Sequence, residues 1–263
     1  MCAGISKRSL GILFIKMNSL NCFAISLAGS LILSSSSPGD TTFLFDEHFD
    51  NSPPYKNGGL LPMDESKMHY GHWHSEKSSG NASMTITGEK FASAPWALAL
   101  RVGNDSGTSS VAGAFGGLDS VATDSLIRWE ISFYLESSTL DKAPFFAIRD
   151  ADGKNLSLLY IDNGGLLRPN NEDSGVSITQ GQWYRLEVIL PANAAALTDP
   201  RYAMNIYDLA SNEIIYSGSL RLFGAPPFAA SSYATVNMSA TSNVLYLDDW
   251  RVTTVSTTPT DIP

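Results

Sequence analysis

The sequence predicts an all-β protein made of two packed antiparallel sheets, and three observations support this prediction. Segment 126–136 alternates strictly, which is a period of two that a helix would not give. Only 16% of the residues are charged, and the abundant Ser, Thr, Asn and Gly suit strands and turns. Other short alternating segments are separated by turn residues at the spacing expected of a sandwich. The apolar face of 126–136 comprises Ile127, Trp129, Ile131, Phe133 and Leu135.

The 263 residues are enough for a single β-sandwich domain preceded by an export signal. Positive charge at Lys7, Arg8 and Lys16 precedes an apolar stretch, 22–33, that is short for a membrane span of about 20 residues. Met17 is an alternative start, and an uncleaved membrane anchor is the alternative to cleavage. The predicted organisation is a signal peptide at 1–36, a β-sandwich domain at 42–254 and a flexible polar tail at 255–263.

The excess of negative charge limits the classes of partner that the protein can bind. A net charge of -9 and a pI near 4.8 argue against nucleic acid, which needs a basic face, and give no attraction to anionic lipid. Both cysteines, Cys2 and Cys22, lie in the predicted signal, so no disulfide is expected in the mature domain. We expect a secreted monomer, extracellular or periplasmic, without a membrane span.

The two ends of the predicted domain are matching strands, 43–50 and 244–252. Each interrupts an apolar face with a carboxylate, Glu47 in the first and Asp248 in the second. An acid at a core-facing position is costly unless something compensates it. The terminal strands are therefore predicted to meet and close the domain. The second strand is expected to present one face made of Tyr246, Asp248, Trp250 and Val252.

Several segments spread over nearly all of 43–252 also carry a resemblance. They are Glu47–Asp50, Gly71–Trp73, Arg128–Leu135, Asp152–Lys154, Gly181–Leu186 and Tyr246–Val252. These segments resemble the concanavalin A-like lectin and glucanase superfamily, including its LamG-like domains. The resemblance implies a jelly-roll β-sandwich. Because that fold hosts lectins, binding modules, glycoside hydrolases and polysaccharide lyases, it does not select an activity.

The resemblance also implies a structural Ca²⁺ where the first and last strands meet, with Glu47 and Asp248 as side-chain ligands. Hard cations of this kind take several oxygen ligands. The alternative is that the two carboxylates accept backbone N–H groups or pair with Arg or Lys.

Two further motifs were considered as metal or catalytic sites. Three of the four histidines, His69, His72 and His74, lie within six residues, and His72 and His74 would share a strand face, which is usable geometry for zinc. Because no Cys is available and Glu76 is the only close carboxylate, a surface loop entering a strand is favoured over zinc or a catalytic His. Segment 150–155 begins like a calcium loop, but its twelfth position is Ile161 instead of an acid. It is therefore predicted to be the turn of a hairpin.

The best candidate for a binding surface is the polar face of the predicted strands. Aromatic rings and fixed donors and acceptors suit a glycan, which offers apolar ring faces and many hydroxyls. The alternative is an ordinary solvent face with cross-strand ion pairs. The predicted carbohydrate-binding residues are Arg128, Glu130, Tyr134, Arg185, Asn205 and Tyr207. Neighbouring strands are also expected to add Arg149 and Tyr160.

This sequence lacks the catalytic motifs found in enzymes of the superfamily that it resembles. Its hydrolases carry Glu-x-Asp-x-x-Glu on one strand, and its alginate-type lyases carry Arg-Glu-Leu-Arg with Gln-x-His; this sequence has neither. Glu130 and Glu136 are roughly 20 Å apart along one strand, too far to replace such a pair. The sequence favours an exported, non-catalytic carbohydrate-binding or recognition module. The alternatives are a divergent polysaccharide lyase or glycoside hydrolase, and a purely structural module.

Overall fold

Alternating sequence segments form fourteen strands in the computed structural model, which describes residues 42–47, 49, 73–78, 83–101, 108–114, 125–136, 144–149, 154–192, 197–223, 233–239 and 244–256. The strands are β1 (Thr42–Glu47), β2 (Trp73–Ser78), β3 (Ser83–Thr87), β4 (Ala97–Arg101), β5 (Thr108–Ala114), β6 (Ser125–Leu135), β7 (Phe145–Arg149), β8 (Asn155–Ile161), β9 (Leu167–Pro169), β10 (Trp183–Pro191), β11 (Arg201–Asp208), β12 (Glu213–Arg221), β13 (Tyr233–Ser239) and β14 (Val244–Ser256).

These strands form two antiparallel sheets, as predicted. The eight-stranded sheet has the order β12-β11-β10-β6-β14-β4-β3, with β1 also paired to β14. The six-stranded sheet has the order β2-β5-β13-β7-β8-β9. The only helical turn in the described ranges is the 3₁₀ turn Asn163–Gly165, and no helix there is long and apolar enough to cross a membrane.

The core lies between the sheets and follows the predicted alternation. Ile127, Trp129 and Ile131 of β6 are fully buried, and the Phe133 ring lies 5.0 Å from the Phe146 ring of the six-stranded sheet. Burying a side chain of this size contributes about 1.5–3 kcal/mol. The inward residues of β10 join the same core: Tyr184, Leu186, Val188 and Leu190. The other side chains of β6 and β10 therefore point away from the core.

The first and last strands pair, as predicted. β1 runs antiparallel to the second half of β14, with Asp46 opposite Arg251. The Arg251 Nε donates to the Asp46 carboxylate at 3.0 Å. The chain ends are therefore joined within the eight-stranded sheet.

The predicted face of β14 is wrong, because the strand contains a β-bulge. Its register shifts between Asp248 and Arg251, and Asp249 adopts a φ of 46°. The extra residue reverses the alternation. Leu247 and Trp250 both join the core, so Asp248 does not share a face with Trp250. Tyr246 packs in a separate cluster.

Two of the expected polar-face residues lie on the wrong sheet for that role. Arg149 is on β7 and Tyr160 on β8, in the six-stranded sheet. These two strands pair antiparallel, as predicted for a hairpin, although its turn at 150–153 lies outside the described residues. Local alternation identifies strands but does not say which sheet each strand joins. The expectation that Arg149 and Tyr160 lie on the same face as the other polar residues was wrong for this reason.

Other predictions also fall on residues that the structure does not describe. They are the signal peptide at 1–36, His69, His72 and all but the first two residues of the predicted tail at 255–263, since Val255 and Ser256 end β14. His74 lies on β2, where its backbone alone is described.

Candidate functional site

The outward side of β6, β10 and β11 forms a continuous surface, which we call the polar face. Strand register places Glu187 of β10 between Glu130 of β6 and Asn205 of β11. The structure brings all six predicted residues to this face: Arg128, Glu130, Tyr134, Arg185, Asn205 and Tyr207. Their participation in glycan binding stays a prediction.

Glu187 is the centre of the polar face. It is only 7% exposed, and its Oε2 accepts hydrogen bonds from Asn205 Nδ2 at 2.7 Å and from the Tyr207 hydroxyl at 3.1 Å. Arg128 Nε lies 3.4 Å from the other carboxylate oxygen, Oε1. A buried carboxylate needs such partners. The result is one anion that holds three neighbouring side chains in place.

Sequence reasoning missed Glu187, although a signal was present. The apolar residues Tyr184, Leu186 and Val188 alternate in the sequence, and since side chains alternate along a strand, Glu187 points to the opposite face. Its central position depends on the strands on either side of β10, β6 and β11, and only the strand register shows which residues of those strands lie beside it.

Arg185 stacks on Tyr207, with its guanidinium carbon 4.4 Å from the ring centroid. Burial, and then the adjacent Glu187 charge, raise the pKa of Tyr207, so the phenol remains a hydrogen-bond donor at neutral pH. The Arg185 Nε is buried without a hydrogen-bond partner in the described chain. Arg185 is therefore oriented by an aromatic ring, and it is a half-buried residue with no hydrogen bond to the described residues.

Glu130 is a half-buried carboxylate with no hydrogen bond or ion pair to the described residues. Its neighbour on β10 is Glu187, and like charges directly opposite each other are destabilising. Its neighbour on β14 is Arg251, but that side chain binds Asp46. Glu130 is thus an acceptor with unused capacity beside a carboxylate that already accepts two hydrogen bonds.

An aromatic cluster borders the polar face. The Tyr134 ring lies 5.6 Å from Trp183 and 5.7 Å from Tyr246. Lys90 Nζ lies 5.6 Å from the Tyr134 ring centroid, and the Arg101 guanidinium lies 5.7 Å from that of Tyr246. Trp183 is half-buried, whereas Tyr246 is 2% exposed. The sequence-based set included Tyr134 but omitted its two ring partners.

Asp248 is fully buried and accepts three backbone hydrogen bonds. Ala92 and Ser93 donate to Oδ2 at 2.9 and 2.8 Å, and Asp249 donates to Oδ1 at 2.8 Å. Burial raises the pKa of Asp248 to about 7, although the Ser93 N–H opposes this shift. Backbone N–H acceptance was the alternative to calcium ligation for this residue.

Calcium binding by Glu47 and Asp248 stays a prediction. The groups bonded to Asp248 are hydrogen-bond donors, namely three backbone N–H groups and the Ser93 hydroxyl, whereas Ca²⁺ takes oxygen ligands. The Glu47 side chain lies outside the described side chains. Register places Glu47 opposite Trp250 of β14, not opposite Asp248. In the described part of the chain, no three His, Cys, Asp or Glu side chains are grouped to hold a metal ion.

No family model matches this sequence, and no curated protein matches it. Among solved structures, the PL-14 alginate lyase from Aplysia kurodai is similar, with a TM-score of 0.51, 9% identity and coverage of 80% of this chain and 98% of that chain. The carbohydrate esterase vb_24B_21 from Shiga toxin-encoding bacteriophage phi24B also has a TM-score of 0.51, with 14% identity and coverage of 83% and 100%.

A sialidase aligns with a TM-score of 0.48 and 10% identity over 77% of this chain. This chain spans only 19% of that sialidase's length, and the score is too low to support a conclusion. The identities of the other two structures support a shared fold and nothing finer. Together with the two antiparallel sheets and the paired terminal strands, they show that this chain has the concanavalin A-like jelly-roll fold.

Proposed function

We propose that the chain is an exported, non-catalytic carbohydrate-binding or recognition module whose glycan ligand lies on the polar face. The observation that carries this proposal is the organisation of Asn205, Tyr207 and Arg128 around the buried Glu187 carboxylate. Groups already held in place cost less entropy to bind a ligand. A few fixed polar groups beside aromatic rings suit a ligand with many hydroxyls and apolar ring faces.

The comparisons are compatible with this proposal at the level of fold. The similar structures are named as an alginate lyase and a carbohydrate esterase, so carbohydrate chemistry occurs on this fold. At such low identity their substrates do not transfer to this chain, and the polar face itself remains the argument for a glycan.

A glycan array followed by calorimetric titration tests the proposal. The full chain is expected to bind at least one glycan, and Tyr207→Phe should weaken that binding because it removes the hydroxyl bonded to Glu187. Tyr160→Phe is the matched control, since Tyr160 is a half-buried tyrosine of the six-stranded sheet. Absence of binding across the array, or equal weakening by both variants, would reject the proposal.

A divergent glycoside hydrolase or polysaccharide lyase is the second candidate, and one observation favours it. Glu130 and Glu187 are directly opposite on neighbouring strands, where Cβ atoms lie about 4.5–5.5 Å apart. Retaining glycosidases hold two carboxyl groups about 5–5.5 Å apart. Against it, Glu187 is already engaged by three side chains, which suits a structural anion better than a nucleophile.

Product assays separate the two functions. Reducing-sugar release and the absorbance of unsaturated products are measured on every glycan that binds. The binding proposal predicts neither product. Turnover that disappears in Glu130→Gln would establish the enzyme in its place.

A further inference from the structure

We propose that the ligand is a neutral, extended glycan, held by Glu130 and Arg185 acting together on neighbouring hydroxyls, with a further sugar stacked on Trp183. This inference rests on the proposed function and names its ligand class. It follows from three features of the polar face: two unpaired groups of opposite charge, a balanced charge distribution and the distance to the half-buried Trp183.

Glu130 and Arg185 are diagonal neighbours that do not pair with each other. Arg185 lies opposite Ser132, two residues from Glu130 on β6, and such diagonal pairs are about 7–8 Å apart. Neither side chain makes a hydrogen bond or ion pair to any residue within the described ranges. The space between them suits a group that both donates and accepts.

Neighbouring sugar hydroxyls meet that requirement. A hydroxyl is both donor and acceptor, a carboxylate accepts only and a guanidinium donates only. Two adjacent hydroxyls can donate to Glu130 while their oxygens accept from Arg185. Hydrogen bonds to charged groups are roughly twice as strong as neutral ones, so this pair of residues supplies a specific anchor.

The charge distribution favours a neutral chain over a polyanion. A uronate or sulfate at the anchor would face Glu130, and the protein's net charge of -9 repels a polyanion. The positive groups on the polar face and on the adjacent β14 each have a negative neighbour: Arg128 beside Glu187, Arg251 beside Asp46 and Arg185 diagonal to Glu130.

The distance along β10 favours a ligand longer than one sugar. Glu130 lies opposite Glu187, and Trp183 is four residues further along the same strand. At about 3.3 Å per residue this separation is roughly 13 Å, which exceeds the length of a sugar ring. Trp183 is the most exposed ring of the aromatic cluster, and aromatic faces stack on the apolar faces of sugars.

The test is calorimetric titration of the full chain with defined neutral oligosaccharides. The probes are the di- and tetrasaccharides of cellulose, xylan, mannan and laminarin, with the tetrauronate of alginate as the charged probe. We expect at least one neutral tetrasaccharide to bind about 2- to 10-fold more tightly than its disaccharide, with little effect of salt. The tetrauronate should not bind.

Substitutions of Glu130 and Trp183 test the roles of these two residues in binding. Glu130→Gln should weaken tetrasaccharide binding about 10-fold, because a charged acceptor becomes neutral. Glu172→Gln, which removes an equal charge from an exposed position, should leave it unchanged. Trp183→Ala should remove the advantage of the tetrasaccharide, whereas Trp183→Phe should retain part of it. Melting curves of each variant verify folding, and Glu130→Ala, which also removes the charged acceptor, serves if Glu130→Gln does not fold.

The outcomes separate this inference from the proposed function. Tetrauronate binding that strengthens in Glu130→Gln overturns the neutral ligand while leaving glycan binding in place. Neutral binding that is unchanged in Glu130→Gln overturns the role of Glu130. Binding of no glycan by the full chain, on the array or in titration, rejects the proposed function itself.

Discussion

Replacing Glu187 with alanine removes the carboxylate that organises the polar face. The hydrogen bonds from Asn205 and Tyr207 to Glu187 are lost, and each such bond to a charged group contributes about 1.5–3 kcal/mol. Both donors are half-buried and regain some water, so we take the lower end of this range. The 3.4 Å ion pair with the partly exposed Arg128 adds at most about 1 kcal/mol. The expected loss is about 3 kcal/mol.

Urea denaturation measures this loss as a shift in the midpoint at an unchanged m-value. Glu172→Ala is the control, because substitutions at exposed positions away from such networks stay within about 0.5 kcal/mol. A double-mutant cycle with Tyr207→Phe should show a coupling of about 0.5–3 kcal/mol. A loss below about 0.5 kcal/mol for Glu187→Ala, with no coupling, would show that Glu187 does not organise this face.

Three further predictions concern stability. Burial raises the pKa of Asp248 to about 7, above its value near 3.9 in the unfolded chain. The stability that protonated Asp248 contributes to the fold is therefore present below pH 4 and is lost as the pH rises to 7. The stability difference between wild type and Asp248→Asn, measured in urea, should fall across that window by at most about 4 kcal/mol. If Glu47 and Asp248 share a calcium ion, a chelator should lower the melting temperature. Gly165→Ala should destabilise the fold by more than 1 kcal/mol in urea, because Gly165 has a φ of +80° and an added Cβ would clash with the Ile178 carbonyl oxygen.

For each of these three predictions, a specific outcome would contradict it. A stability difference for Asp248→Asn that is constant from pH 4 to 7 would refute the raised pKa. An unchanged melting temperature in chelator would remove the calcium prediction. Gly175→Ala is the control for Gly165→Ala, since Gly175 has a φ of +69° but nothing within contact of an added Cβ. Equal losses for the two glycine variants would refute the steric argument.

The sequence was sufficient to predict the fold and the outward direction of the candidate residues. Alternation in β6 separates Ile131 from Glu130 without any knowledge of the partners, since side-chain direction is local. The apolar spacing of β10 identifies Arg185 as outward in the same way. The polar face could therefore be predicted strand by strand.

Relations between strands could not be predicted in this way. Strand order and register are set by long-range pairing, so nothing local placed Glu187 between Glu130 and Asn205 or excluded Arg149 from the face. The bulge at Asp249 was likewise invisible, since it depends on pairing with β6. The loop that donates to Asp248 is more than 150 residues away in sequence.

Titration of one glycan into three proteins shows whether the polar face of the eight-stranded sheet binds glycan. The glycan with the strongest array signal is titrated into wild type, Asn205→Ala and Asn155→Ala. Asn205 is hydrogen-bonded to Glu187 on the polar face, and Asn155 is hydrogen-bonded to Arg149 on the six-stranded sheet. The account predicts weaker binding for Asn205→Ala alone. Unchanged affinity in Asn205→Ala, or weakening only in Asn155→Ala, would contradict it.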